Sequence, residues 1–389
     1  MAESALFSPL TLRAVTLPNR IVISPMCQYS AHDGMANDWH FAHLAKLALG
    51  GAGLVFAEAT AVEPHGRITH GDLGLWSDAH IAPLKRISEF MKTHGALPGI
   101  QLAHAGRKAS IQRPWQGNGP LNESDSERGE LAWPVVAPSP VPVDAGWLVP
   151  HELTDPDIER LQEHWRAATL RALAAGFEVI EVHGAHGYLI HEFLSPHSNS
   201  RTDRYGGDFA GRSRFALEIA QIVRDNWPEE RPVFFRISSA DGVSGGWSMD
   251  DTVRLAHKLR GLGVDAIDCS SGGIDGPATA VRSKRTLGFQ VHYAQRVRRE
   301  VQIPTVAVGL IVDPLQAEKI LQSKQADLIA IGRQALFNPN WALHARISLG
   351  VAKDFEFWPP QYGWWLDKRQ RSLSDNDAAI ALQRSAGQV

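Results

Sequence analysis

Cysteine is nearly absent from this chain: Cys27 and Cys269 are the only two in 389 residues. A disulfide framework is excluded, and so is four-cysteine iron–sulfur ligation within the chain. No apolar run approaches the roughly 20 residues of a membrane-spanning helix. The first residues lack the charged-then-apolar pattern of a secretory signal. Charge of one sign is missing too. A formal net charge of −3 and a pI near 6.6 provide no basic field for nucleic acid, and no Lys/Arg tract marks a membrane surface. A dinucleotide fingerprint is also lacking. The glycine cluster Gly50-Gly51-Ala52-Gly53 follows a helical stretch and precedes a strand-like one, the reverse of what G-x-G-x-x-G requires, and reads as a turn. What remains is 44% hydrophobic and 21% charged residues, an ordinary globular balance with ample core. A cytoplasmic enzyme is the expectation.

The chain alternates between two kinds of segment. Short apolar runs at 20–24, 53–58, 98–103, 177–182, 232–237, 264–269, 304–308 and 327–331 read as strands. Helical stretches fall between them at 39–49, 81–93, 155–175, 215–226, 249–262, 290–300 and 314–323. Strands that are apolar throughout are buried on both faces, as in parallel sheets, and alternation with helices makes βαβ units. Eight such units predict a (β/α)₈ TIM barrel of α/β class, with an open doubly wound sheet as the alternative. The domain reading is a single barrel over 1–350, with a capping excursion at 106–150 after the third strand. A C-terminal extension at 351–389 is expected to make a subunit contact.

In such barrels the chemistry sits at the C-terminal ends of the strands. Those ends read Ser24-Pro25-Met26-Cys27, Glu58-Ala59-Thr60, Gln101 with His104, His183 with His186, Arg236, Ser270-Ser271-Gly272-Gly273, Gly309 and Gly332-Arg333. Nearly all are polar, small or reactive, which predicts one site at the barrel mouth. The fourth end stands out: an apolar strand runs abruptly into His183, His186 and Tyr188, donors and a weak acid suited to a bound carbonyl or nitro group. At the seventh and eighth ends, Gly309 and Gly332 let backbone amides approach an anion, and Arg333 adds a fork of donors. A phosphorylated ligand is expected there. Cys27 follows Pro-Met and precedes Tyr29 at the same rim, whereas Cys269 is assigned to packing.

At this point the chain resembles the old yellow enzymes, in particular the subgroup of bacterial xenobiotic reductases and thermophilic-type ene-reductases. The resemblance rests on Ser24-Pro25-Met26-Cys27-Gln28-Tyr29, Gln101-Leu102-Ala103-His104-Ala105-Gly106-Arg107-Lys108, His183-Gly184-Ala185-His186-Gly187-Tyr188 and Asn199-Ser200-Arg201-Thr202-Asp203-Arg204-Tyr205-Gly206-Gly207. It implies an enzyme with tightly bound FMN that takes hydride from NADPH or NADH and reduces activated C=C bonds in a ping-pong scheme. By the same resemblance Ser24, Pro25, Met26, Cys27, Ala59, Gln101 and Arg236 hold the flavin, with Gly309, Gly332 and Arg333 at its phosphate. His183 and His186 grip the substrate oxygen, while Tyr188, with an ordinary pKa near 10, supplies a proton. Cys27 and Tyr29 contact the substrate, as does Trp364 of the terminal segment, in the chain's own or a neighbouring active site. Electron-poor alkenes or nitro compounds are the implied partners, in a homodimer or homotetramer. Two other classes fit part of the pattern. One is a metal-dependent barrel hydrolase using His183, His186 and His104; the other is a non-catalytic flavin-binding scaffold. No metal is expected on the favoured reading.

Overall fold

The computed structural model describes residues 4–276 and 285–386; the end of the 351–389 extension lies outside them. Twelve strands occur in chain order among the described residues: β1 (Leu10–Leu12), β2 (Val15–Leu17), β3 (Ile21–Ile23), β4 (Leu54–Ala61), β5 (Leu97–Ala103), β6 (Val136–Ala137), β7 (His151–Glu152), β8 (Val179–Gly184), β9 (Val233–Ser238), β10 (Ala266–Ser270), β11 (Thr305–Ala307) and β12 (Leu328–Ile331). Eight of them, in the order β10-β11-β12-β3-β4-β5-β8-β9, close into a parallel barrel. These are the eight apolar runs, so the (β/α)₈ TIM barrel is the observed architecture.

Helices between the strands start where polar side chains take up unpaired amides. Asn37, Thr154, Asp208, Ser248 and Asp313 each cap a helix by accepting a hydrogen bond from a backbone N–H of its first turn. The cap at Asp208 corrects one expectation. The helix anticipated at 215–226 runs Phe209–Asn226, because Asp208 Oδ1 accepts from Gly211 N at 3.0 Å and opens it earlier.

Strand register sorts the barrel interior into tiers. Val179, Phe234, Ala266 and Val306 belong to one buried apolar cluster near the strand starts. Two residues further on lie Glu181, Arg236 and Asp268, and two further His183, Ser238 and Ser270. Arg236 pairs with His183 on one side and Asp268 on the other, and Gln101 pairs with Glu181, so these side chains share the inner face. An irregularity in β4 between Ala57 and Ala59 brings Ala59 opposite Gln101. The interior is therefore an apolar floor, a charged middle and a polar rim.

The antiparallel hairpin β1–β2 has no counterpart in the sequence reading. It pairs Leu10 with Leu17 and Leu12 with Val15, and its Leu12 and Leu17 join the apolar floor. The turn places Arg13 in the left-handed region, φ 53°, with its guanidinium donating to Asp265 Oδ1 at 2.7 Å and Gly263 O at 3.0 Å. Leu17 is fully buried. We expect Leu17→Ala to cost about 2–5 kcal/mol, read as a lower denaturation midpoint in urea; an unchanged midpoint would contradict the hairpin's role as the barrel floor.

Beyond Ser372 the polar, alanine-rich sequence reads as a short helix or a frayed end. In the structure this stretch is instead the later part of one long helix, Pro360–Ala386. No helix among the described residues is long and apolar enough to cross a membrane.

Candidate active site

β8 carries His183 to the rim at 4% exposure, and the turn that follows carries His186 and Tyr188. The ring centroids of His183 and His186 are 5.1 Å apart and those of His183 and Tyr188 5.0 Å, each pair edge to face. Ala185 N donates to His183 Nδ1 at 3.3 Å. The hydrogen of this imidazole therefore sits on Nε2, available to a ligand. His186 is held in the left-handed region, φ 63°, by its own N–H donating to Ser238 Oγ at 2.9 Å and its carbonyl accepting from Lys108 Nζ at 3.0 Å. Its Nε2 shares a 2.6 Å hydrogen bond with the Ser270 hydroxyl.

Burial, and then the nearby Arg236 guanidinium, drive both imidazoles well below their ordinary range. They are neutral at physiological pH, so they donate hydrogen bonds without carrying charge. Tyr188 is pushed well above its ordinary value, by burial first and then by Cys27 and Asp72. Its phenol keeps its proton across the working pH range. It lines a cavity of about 10 Å³ together with Ala59, Ile68 and Asp72, and packs in a small apolar cluster with Ile111, Trp133 and Val135 of the excursion. Asp72 is raised to about 6 by burial, opposed by hydrogen bonds from Thr69 and Ile68.

The first strand end brings the next group. Ser24 N donates to Ile331 O at 3.0 Å, tying β3 to β12. Pro25, Met26, Cys27 and Tyr29 follow, each half-buried. Glu58, on the irregular stretch of β4, accepts from Gln28 N at 3.1 Å and braces this loop. Cys27 packs against the Tyr188 cluster, and its thiol is raised well above the ordinary range by burial, then by Asp72 and Glu58. It is a neutral thiol here. Tyr29 holds φ 51°, its carbonyl accepting from Arg113 Nε at 3.1 Å.

Gly309 has φ 120°, a conformation that suits glycine. Gly332 precedes the short helix Arg333–Phe337, and a Cβ on it would stand 3.7 Å from Met26 Sδ. Arg333 is exposed, and its charge lowers the pKa of Arg285 after burial has done so. The Arg285 loop reaches Gly309 through Gly288 N donating to its carbonyl at 2.9 Å. Two guanidiniums thus converge beside two glycine turns, a place for a doubly charged anion. Sequence reading missed Arg285 because no strand leads into it.

Ser24, Cys27, Ala59, Gln101, His183, His186, Tyr188 and Arg236 therefore converge on one mouth, with Gly309, Gly332 and Arg333 at its edge. A single chain does not gather Trp364 with them. It lies on the terminal helix, 56% exposed, with Lys368 Nζ 3.7 Å from its ring centroid. His104 also departs from the expectation. Its Nε2 meets Glu63 Oε1 at 2.9 Å and its Nδ1 accepts from Gly106 N at 3.0 Å, so both nitrogens are committed. The hydrolase alternative needed His104 beside His183 and His186, and it is not supported. No group of three potential metal ligands occurs among the described residues.

The arrangement fits a flavin. Ser24 Oγ and Arg236 Nε are buried beneath the mouth with no hydrogen-bond partner among the described residues, although Asp268 Oδ2 lies 3.3 Å from that Nε at an unfavourable angle. Buried polar atoms are seldom left unmatched. A flavin would offer partners to both of these atoms, and Ala59 and Gln101 beside them, with Gly309, Gly332 and Arg333 at the edge, are the residues that would hold it.

Comparisons with known proteins agree. The NADH:flavin oxidoreductase / NADH oxidase family matches residues 5–352. An NADPH dehydrogenase of Geobacillus sp. (strain WCH70) is 44% identical over 351 residues, 90% of this chain and 96% of that one. The NADPH dehydrogenase of Geobacillus thermodenitrificans is 43% identical over 366 residues, 93% of this chain and 99% of its own. Among solved structures, the old yellow enzyme homologue from Zymomonas mobilis is similar with a TM-score of 0.72 at 25% identity, over 92% of this chain and 98% of that one. The chain belongs to the NADH:flavin oxidoreductase / NADH oxidase family and is an FMN-dependent, NADH- or NADPH-oxidising enzyme of the old yellow enzyme type.

Proposed function

We propose that this enzyme is an ene-reductase, reducing the activated C=C bonds of α,β-unsaturated carbonyl or nitro compounds. The observation that carries the reading is the pair of neutral imidazoles set edge to face 5.1 Å apart, with a protonated phenol 5.0 Å from one of them. FMN, when bound, accepts hydride from the nicotinamide and passes it to the substrate's β-carbon.

His183 and His186 hold the carbonyl or nitro oxygen and stabilise the negative charge that grows on it. Donors placed where charge develops are typically worth about 10²–10³ in rate. Tyr188, its ring centroid 5.0 Å from that of His183, delivers the proton from its hydroxyl to the α-carbon. Its raised pKa is what the task requires: a group that holds its proton until a stronger base appears. Arg236 presents positive charge to the flavin's polar edge, beside Gln101 and Ala59. Cys27 and Tyr29 shape the wall of the substrate cavity.

At the phosphate, Gly309 and Gly332 let the backbone approach, and Arg333 with Arg285 neutralises charge. Removing one charge-assisted hydrogen bond costs about 1.5–3 kcal/mol, so Arg333→Ala is expected to weaken FMN binding roughly ten- to hundredfold. Equilibrium dialysis with FMN checks this; riboflavin, which lacks the phosphate, should bind wild type and variant alike. Equal weakening for both ligands would contradict the assignment.

We place the 106–150 excursion as a cap over the mouth, supported by Ile111, Trp133 and Val135 packing against Tyr188. We read the exposed aromatic face of the terminal helix, with Trp364 and Trp365, as a contact with a second subunit, in a homodimer or homotetramer. The two unpaired cysteines suit a reducing cytoplasm. The test of the activity is anaerobic: NADPH should bleach the yellow protein, and cyclohexenone should restore its colour while being converted to the saturated ketone. Bleaching without ketone turnover would contradict the ene-reductase reading.

A further inference from the structure

The barrel interior holds more charge than this chemistry uses. Glu181 on β8 and Asp268 on β10 are 0% and 3% exposed, and β9 between them carries the buried Arg236. Asp268 pairs directly with Arg236 across the sheet, its Oδ2 3.3 Å from Arg236 Nε. Glu181 Oε1 accepts from Gln101 Nε2 at 2.7 Å. Glu181 Oε2 and Asp268 Oδ1, by contrast, are buried with no hydrogen-bond partner among the described residues. Two carboxylates and one guanidinium leave one negative charge uncompensated, and burial penalises such a charge unless a proton neutralises it.

We propose that Glu181 and Asp268 are positioning residues for Arg236: a flanking carboxylate pair that binds one proton and so sets how much positive charge Arg236 presents to bound FMN. The inference rests on the flavin reading above. Burial, and then Asp268, raise Glu181 to about 8 against the pull of Arg236 and of the Gln101 hydrogen bond. Asp268 is raised by burial and opposed by Arg236. The groups facing Glu181 are Gln101 from β5, Arg236 from β9 and Asp268 from β10, with His183 two residues along its own strand. His183 and His186 lie too low to compete for the proton.

The pair is therefore protonated at neutral pH and releases its proton in the alkaline range, because burial raises both carboxyls. Negative charge arriving at the mouth when FMN is reduced favours the protonated pair. In that alkaline range each two-electron reduction draws one extra proton onto the Glu181 carboxylate: an O–H bond forms there as an O–H bond of a water molecule breaks, and the hydroxide stays in solution.

The test is the midpoint potential of FMN in the holoenzyme, measured from neutral pH to well above 8. On passing from neutral into alkaline pH, wild type should gain an extra tenfold dependence of the reduction equilibrium per pH unit. Glu181→Gln should lose that step. Asp268→Asn removes one negative charge, so the potential should rise at neutral pH and the step should move down in pH. Absence of the step in wild type overturns the proposal even if a variant misfolds. So does a Glu181→Gln holoenzyme with the wild-type step, or an Asp268→Asn holoenzyme with wild-type potential and step. A wild-type chain that binds no FMN instead overturns the flavin reading, and this inference with it.

Discussion

Tyr188→Phe should slow reduction of cyclohexenone by roughly 10²–10⁴-fold, the usual worth of a positioned general acid, while NADPH bleaches the flavin at the wild-type rate. The asymmetry follows from where the phenol sits. Tyr188 is 6% exposed, 5.0 Å by ring centroid from His183, and has its proton locked on by burial and by Cys27 and Asp72. Only the half-reaction that ends with a carbanion needs that proton. Phenylalanine fills the same apolar cluster, so packing with Ile111 and Trp133 survives the change. Stopped-flow absorbance separates the two half-reactions. Equal slowing of both would refute the proton-donor assignment, since a general loss of structure or of FMN affinity spares neither.

The second large effect is at the imidazoles. His183→Ala removes a neutral donor whose orientation is set by Ala185 N on its other nitrogen at 3.3 Å. The expected loss is about 10²–10³ in kcat/KM for the unsaturated ketone, with weaker binding of simple phenols, whose oxygen uses the same donors. His183→Gln, which restores an N–H, should recover part of both. A phenol that binds His183→Ala as tightly as wild type would show that the oxygen is held elsewhere. Because both imidazoles are depressed well below their ordinary range, acceptor reduction should show no loss on raising the pH through 6.5, where an ordinary histidine loses its proton. A fall in rate centred there would mean that a charged imidazole is the active form.

Much of this was legible in the sequence, for physical reasons. The eight barrel strands are apolar on both faces, which marks them as parallel, and their ends break sharply into polar residues or glycine. His183, His186, Tyr188, Arg236, Gly309 and Gly332 could be read from those breaks. The β1–β2 hairpin was not legible, since each strand has three residues and the Arg13-Ala14 turn lacks the glycine or asparagine that advertises a hairpin. The length of the terminal helix was hidden by a polar composition without an apolar stripe. Glu181 and Asp268 were visible as charges inside apolar strands, but a sequence does not say which face of a two-sided strand points inward. Register against Gln101 and Arg236 supplies that. Arg285 follows no strand and had no local signal at all. Its place beside Arg333 depends on Gly288 meeting Gly309, a contact between loops distant in sequence.

The most direct measurement is the visible absorbance of the purified chain after incubation with FMN and removal of excess, followed by anaerobic NADPH and then cyclohexenone. A yellow protein, bleached by the first and recoloured by the second with release of saturated ketone, is the predicted result. A chain that stays colourless after incubation with FMN would contradict the account at its centre.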